Sequence, residues 1–316
     1  MGTISCSCIA IGQVGKLLSE AGGTAPRTFD GSSLRHEFVY ENVGTERMVQ
    51  HTGAITGSLS RFDSGTRESP YLTQGSIAIQ PSPVQLTQWL PRIFGGAVSG
   101  TNIPLADVLP TFDLLIFRDN GIFQYTDCVV AQAMIRGRTS NGGKSLSFLE
   151  MIINIIGKEE QIDQVSWPSP EPALPTGVEN LPYIFPEATF SLDGDNVEME
   201  SFSMMVDNNL AVKFFNKSFP GCIRATRRDI KLDLKTPFTC DTLDSALLYN
   251  TVSDIGELKF TTTGMSTAFA FSALRNTFKT PTIPGNQDIP MEYGFQAFRT
   301  AANPEVTITH DATPPA

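Results

Sequence analysis

Apolar and polar residues alternate with a period of two along most of this chain, and after two of these stretches the period lengthens to that of a helix. The first case is GSIAIQPSPVQLTQWLPRIFGG, residues 75–96. Ile77 and Ile79 share one face of a short strand, and Pro81 and Pro83 end it because neither can donate to a ladder. Residues 84–93 then place Leu86, Trp89, Leu90 and Ile93 on one helical stripe. Pro83 before that stripe and Gly95-Gly96 after it are the expected helix punctuation. The second case is DIKLDLKTPFTCDTLDSALLY, residues 229–249. Ile230, Leu232 and Leu234 alternate, Pro237 breaks the strand, and Leu243, Ala246 and Leu247 form a stripe with Thr239 or Asp241 as its cap.

Both units lead into strand-rich blocks with a long turn. The first has FQYTDCVVAQAMIRG, a turn at Asn141-Gly142, then SLSFLEMIINIIGK; the second has TAFAFSALRNTFKT, a turn in PTIPGNQD, then IPMEYGFQAFRT. Upstream, HTGAITGSLSRFD is paired with MESFSMMVDNNL. The pattern predicts two copies of one module, each about half the chain.

The remaining segments fit around these blocks. Residues 1–30 read as an arm with a short helix over 13–20. Residues 35–40 and 46–61 predict a strand pair, and the polar run 60–74 a long hairpin loop or extended arm. Residues 95–110 read as a loop. Residues 111–118 and 123–135 predict a hairpin, its positive φ supplied by Asn120-Gly121. Residues 145–156 close the first module as a strand. WPSPEPALPT, residues 167–176, reads as a stiff linker, and residues 208–228 as the second module's own long loop. The expected organisation is an N-terminal arm over 1–34, a first module over 35–160, a Pro-rich linker over 161–178, a second module over 179–310 and a tail over 311–316.

Composition supports short strands over long helices: 21 phenylalanines, 26 glycines and 21 prolines, with only 18% of residues charged. A length of 316 residues is ample for a large core. The net charge of −10 and pI near 4.8 argue against electrostatic binding of a phosphate backbone. Cys6, Cys8, Cys128, Cys222 and Cys240 are odd in number and scattered, which fits a reducing cytosol better than a disulfide framework. The N-terminus lacks the basic and apolar regions of a secretory signal, and no apolar run reaches membrane-span length; both predict a soluble chain made inside the cell.

The candidate chemistry is sparse. Gly143-Lys144-Ser145 resembles the end of a phosphate loop, but Gly137 stands one position too far back, and a hairpin turn explains the run. His36, His51 and His310 lack partners at metal-ligand or triad spacing, so no metal, cofactor or catalytic set is expected. Asp193, Asp195, Glu198 and Glu200 form an acidic cluster that fails calcium-loop spacing and reads as a solvated face. Arg224, Arg227 and Arg228 form a basic cluster suited to a neighbour's carboxylates.

The order of these features resembles the tail tube (major tail) proteins of long-tailed bacteriophages, in the class with a duplicated module. The resemblance rests on the GAITGSLS strand, the polar loop after it, QPSPVQLTQWLPRIFG, FQYTDCVVAQAMIRG and IIGKEE. In the second half it rests on ESFSMMVDNNL and FNKSFPGCIRATRRDIKLDLKTP. It implies a mainly β fold of two sandwich- or barrel-like modules, each with a flanking helix. It implies a non-enzymatic structural protein of the virion tail, assembled in the host cytoplasm, whose sheets join into stacked rings. Six modules per ring then require three chains. Implied partners are copies of the chain, a tape-measure protein, tail-end proteins and double-stranded DNA passing through an acidic lumen without specific binding. The ring-stacking loops would be those carrying Arg61, Asp63, Arg67, Glu68 and Tyr71, and Phe214, Phe215, Arg224, Arg227 and Arg228; Asp193, Asp195, Glu198 and Glu200 would line the lumen. The competing readings are a tail hub or terminator of the same fold, and a carbohydrate-binding β-sandwich. Trp89 in a helix stripe and Trp167 in a linker argue against the latter.

Overall fold

The computed structural model describes residues 15–21, 29–31, 33–51, 66–118, 121–139, 147–163, 166–237, 254–276 and 290–313. Within them the chain is mainly β, with large antiparallel sheets and one α-helix.

The helix, Pro83–Phe94, begins and ends where its sequence dictates. Ser82 Oγ accepts from the Gln85 amide and Gln85 Oε1 accepts from the Ser82 amide, both at 3.3 Å, a reciprocal capping box. Gly95 closes it at φ 91°, a left-handed position suited to glycine, and donates to the Pro91 carbonyl. Leu86, Trp89, Leu90, Ile93 and Phe94 are all buried against the sheets. Each such side chain contributes about 1.5–3 kcal/mol by leaving water. Arg92 is buried on the same helix, its guanidinium lying over the Trp89 and Phe112 rings and donating to Ser19 Oγ at 2.9 Å. Burial lowers its pKa to about 10.

A repeated strand order runs through the described residues. In the first half, segment 40–46 pairs with Leu72–Ile79, then come Glu150–Gly157, Gly121–Arg138, Phe112–Arg118, Gly15–Ala21 and Leu34–His36. In the second half, Ser201–Asp207 pairs with Asp229–Pro237, then come Pro290–Ala297, Met265–Asn276, Asp254–Thr262, Ala188–Leu192 and Asp195–Val197. Position by position the two orders correspond. The partner of Ser201–Asp207 in the repeat is therefore segment 40–46, not the run 51–63 expected from sequence; residues 52–63, like the second helix expected near residue 243, lie outside the described residues.

Other expectations are corrected. Residues 15–21 are not an arm with a helix but a strand between two partners, with Leu17, Leu18 and Ser19 fully buried. The adjacent leucines suit a strand covered on both faces, a pattern that also imitates a helical stripe. The 35–40 segment pairs with that strand through Leu34–His36, and of its expected partner 46–61 residues 52–61 lie outside the described residues. The polar run 60–74 is not all loop: Thr66–Glu68 pairs with Val49–His51, and Thr73 is buried within Leu72–Ile79. Gly121 is a paired strand residue opposite Arg118 and not part of a turn; residues 119–120 lie outside the described residues.

The expected linker does not separate two cores. Trp167 packs edge-on to Phe117, and Glu171 bonds Lys16 and Arg35 at 2.9 and 2.7 Å, strapping this segment to the first strand. One continuous apolar core includes Leu17, Trp89 and Ile153 of the first half and Phe202, Phe260 and Phe295 of the second. Phe94 meets Phe269 across it, with ring centroids 6.2 Å apart.

Two predictions follow from packing. A Cβ at Gly75 would stand 2.4 Å from Val43 Cα and 2.7 Å from the Asn42 carbonyl oxygen, so segment 40–46 lies on a strand that has no room for a side chain there. Gly75→Ala is expected to lower stability by about 1–3 kcal/mol in urea unfolding, through overpacking against backbone. His310 is buried between Thr87 Oγ1 (2.8 Å, Nε2) and Thr267 Oγ1 (2.9 Å, Nδ1). Desolvation lowers its pKa from 6.5 to about 4. The unfolded chain then binds this proton first as pH falls. Stability is fully present above pH 6.5 and is lost between pH 6.5 and 4. The penalty reaches about 3 kcal/mol. Melting curves across that window should show the decline, and His310→Gln should make it shallower, the remainder belonging to the buried His36, whose pKa burial also lowers.

Candidate functional site

The two halves meet through backbone. Residues 132–138 of the long strand Gly121–Arg138 pair antiparallel with Ser201–Asp207, from Gln132 opposite Asp207 to Arg138 opposite Ser201. The long strand reaches this joint by changing partners. Its N-terminal part pairs with Phe112–Arg118 and Glu159–Ile162, its C-terminal part with Glu150–Gly157 and Ser201–Asp207. Irregularities between Tyr125 and Cys128 and between Val130 and Gln132 make the switch, with Asp127 at φ 49°. Asp127 is held there by its amide on Asp113 Oδ1 and by Lys158 Nζ on its carboxylate, at 2.9 and 2.8 Å.

Asn208 locks the corner of the joint. Fully buried, its Nδ2 donates to the Ile93 and Val130 carbonyls at 3.1 Å each, and its amide donates to the Ala131 carbonyl at 2.9 Å. Its Oδ1 accepts from Arg228 Nε at 3.3 Å. The same guanidinium donates to the Phe94 and Ala106 carbonyls at 3.0 and 2.8 Å, with Glu305 3.7 Å away. Arg228 thus satisfies carbonyls at the C-terminal end of the helix, where a cation is favoured. It is committed to the chain's own interior. Arg227 beside it is exposed and pairs with Asp229 at 2.7 Å, and Arg224 is exposed on the strand Cys222–Ala225.

The two long loops are hairpins at equivalent places in the repeat. Val49–His51 pairs with Thr66–Glu68 between segment 40–46 and Leu72–Ile79. Leu210–Lys213 pairs with Cys222–Ala225 between Ser201–Asp207 and Asp229–Pro237. The structure brings them together: the Tyr71 amide donates to the Ser218 carbonyl at 2.8 Å, so the second hairpin's loop lies on the base of the first. Arg67 and Glu68 are exposed, and the Arg47 guanidinium lies over the Tyr71 ring at 4.6 Å. Phe214 and Phe215 are exposed in the second loop, the latter 64%. Arg61 and Asp63 lie outside the described residues.

The sheet face across the joint is concave, enclosing a basin of about 1020 Å³ lined by Arg136, Arg138, Glu150, Asp233, Lys235 and Glu292 among others. Its charges are mixed and partly paired. Arg136 bonds Glu150, and Lys235 bonds Glu200, each at 2.7 Å. Burial raises the Asp233 pKa. Of the acidic candidates only Glu200 reaches this face. Asp193 and Asp195 belong to the hairpin at the far end of the second half's strand order, Asp193 in its turn at φ 50° with Oδ1 accepting from the Ile255 amide at 3.0 Å; Glu198 is exposed just beyond it. Among the described residues no group of three His, Cys, Asp or Glu converges as a metal site, and no helix is long and apolar enough to cross a membrane.

Sequence reasoning missed Asn208 and the exposed edge 40–46. The adjacent asparagines in VDNNL mark a turn, but nothing in them marks one as buried beneath a helix end. Val39, Tyr40 and Val43, at and just before segment 40–46, alternate too briefly and irregularly to announce a strand.

Removing Arg228 (Arg228→Ala) is expected to lower stability by about 2–3 kcal/mol, since it takes a charged donor from the Phe94 and Ala106 carbonyls and from the buried Asn208 Oδ1 together. Arg228→Lys should recover only part, because an ammonium cannot reproduce the planar fork. Arg227→Ala, at an exposed ion pair, should leave the melting temperature unchanged. Equal losses for Arg227→Ala and Arg228→Ala would contradict the division drawn between the two arginines. Comparison of the sequence with protein-family models and with curated proteins finds no match for this chain.

Proposed function

We propose that this chain is a structural protein that assembles with copies of itself into rings stacked as a tube, the tail tube of a long-tailed bacteriophage. The observation that carries this reading is the repeated strand order joined backbone to backbone at residues 132–138 and Ser201–Asp207. A module that already extends its sheet into a second module has the geometry of a unit built for lateral addition. The resemblance in sequence gives the rest of the reading: a non-enzymatic conduit in the virion tail through which double-stranded DNA passes, with a tape-measure protein and tail-end proteins as partners.

Electrostatics favour it. The net charge is −10, and the basic side chains Arg136 and Lys235 on the concave face are engaged by Glu150 and Glu200. With these two engaged and Arg138 the further cation lining the face, a phosphate backbone sliding over it releases few counterions and meets little drag.

Negative-stain and cryo-electron microscopy of the concentrated protein test the proposal. The expected result is rings or tubes with three chains per ring, truly three-fold and only approximately six-fold because the two halves differ. Six chains per ring would overturn the copy number and leave the tube. A monodisperse monomer at high concentration, also with tail-initiation proteins added, would overturn the tube.

A further inference from the structure

We infer that the outer edge of segment 40–46 is the docking surface for the second half of another copy of this chain, so that copies add head to tail. The inference rests on the tube reading and specifies which surface makes the joint between chains.

The template lies inside the chain. Segment 40–46 and Ser201–Asp207 hold the same place in the repeat, each pairing with the strand that follows its hairpin. Each leads directly into that hairpin, Val49–His51 with Thr66–Glu68 in one half and Leu210–Lys213 with Cys222–Ala225 in the other. The outer edge of Ser201–Asp207 is taken by the long strand of the preceding half. The outer edge of segment 40–46 has no strand paired to it among the described residues.

That edge has the character of an interface. Val39 is 55% and Tyr40 43% exposed, and Met48 and Val49, just beyond, are 58% and 59% exposed. Segment 40–46 is also held in place: the Val43 amide and carbonyl are bonded by the chain's own side chains, which leaves Tyr40–Glu41 and Gly44–Glu46 as the stretches for pairing. The Arg118 guanidinium bonds both Glu41 carboxylate oxygens, at 2.7 and 2.6 Å, and also the Val43 carbonyl. Tyr125 Oη donates to the same carbonyl at 2.9 Å, and Asn42 Oδ1 accepts from the Ser76 amide at 2.5 Å. A strand fixed beforehand loses little conformational entropy when a partner adds to it. Donor edge and acceptor are different surfaces, so the contact is heterologous, and closure of a ring follows from its rotation.

The inferred contact also sets the direction of the hairpins. Within the chain the second hairpin's loop reaches sideways, onto Tyr71 at the base of the first. The loops therefore strengthen lateral joints within a ring, whereas the sequence resemblance assigns them to stacking between rings.

The test compares the unmodified chain with Val39→Asp/Tyr40→Asp by light scattering after gel filtration and by electron microscopy. Assembly of the variant is expected to need at least tenfold higher concentration, with far-UV circular dichroism and melting unchanged. Rings forming as readily as those of the unmodified chain would overturn the inference and leave the tube reading. An unmodified chain that never assembles would overturn the tube reading and the inference with it. Should the variant fold poorly, hydrogen exchange on the unmodified chain decides. Amides over 39–46 should exchange at least tenfold more slowly in the assembled fraction than in the monomer, while those of Ser201–Asp207 stay equally slow in both. Equal exchange over 39–46 in the two fractions would overturn the inference.

Discussion

A single strand of eighteen residues, Gly121–Arg138, has to satisfy backbone hydrogen bonds on both edges with four different neighbours. A straight strand cannot leave one sheet and enter another, since its donors and acceptors alternate at fixed spacing. The irregularities at 125/128 and 130/132 resolve this by re-aiming the ladder, and the left-handed Asp127 is the residue that absorbs the turn. Both halves depend on that device. Without it the C-terminal part of the strand would not present an edge to Ser201–Asp207, and the apolar cores would close separately.

Apolar burial supplies the bulk of the stability, but polar groups choose the arrangement. Asn208 and Arg228 bind carbonyls at the end of the helix, at the bulge and in the following loop. Each carbonyl would be costly if buried alone, so a shifted register at the joint would leave several unmet together. A comparable role belongs to the Arg92–Ser19–His36 chain under Trp89, where Arg92 donates to Ser19 Oγ and the hydroxyl lies 2.5 Å from His36 Nε2. There burial lowers the His36 pKa and favours the neutral ring, assisted by the nearby Arg92 charge. These contacts fix which strand lies where, which apolar packing alone specifies weakly.

Local chemistry was legible in the sequence wherever it was self-contained. The helix Pro83–Phe94 is signalled at both ends by residues that act within a few positions of themselves, and its buried stripe follows from spacing. The strands Asp229–Pro237 and Glu150–Gly157 alternate cleanly and were readable for the same reason. The duplication was visible as pattern, but its alignment slipped. Segment 40–46 is held by Arg118 and by the close approach at Gly75, both supplied by other strands, and its own residues carry little strand signal. Leu17-Leu18 misled because a strand covered on both faces has no alternation to display. Arg227 and Arg228 are adjacent and chemically identical, and only tertiary position separates a solvated ion pair from a buried clamp.

The joint between the halves is made within one polypeptide, so its two strands meet at an effective concentration on the order of millimolar or above, whatever the amount of protein present. Dilution cannot open it, and its residues need only modest intrinsic affinity. A contact between separate chains has no such tether and must carry its whole association cost in its own surface. Fusion therefore frees the two halves to evolve under unequal demands. Substitutions at Ser201–Asp207 answer to strands that are always present in the same chain, and the first half can be tuned independently of that joint.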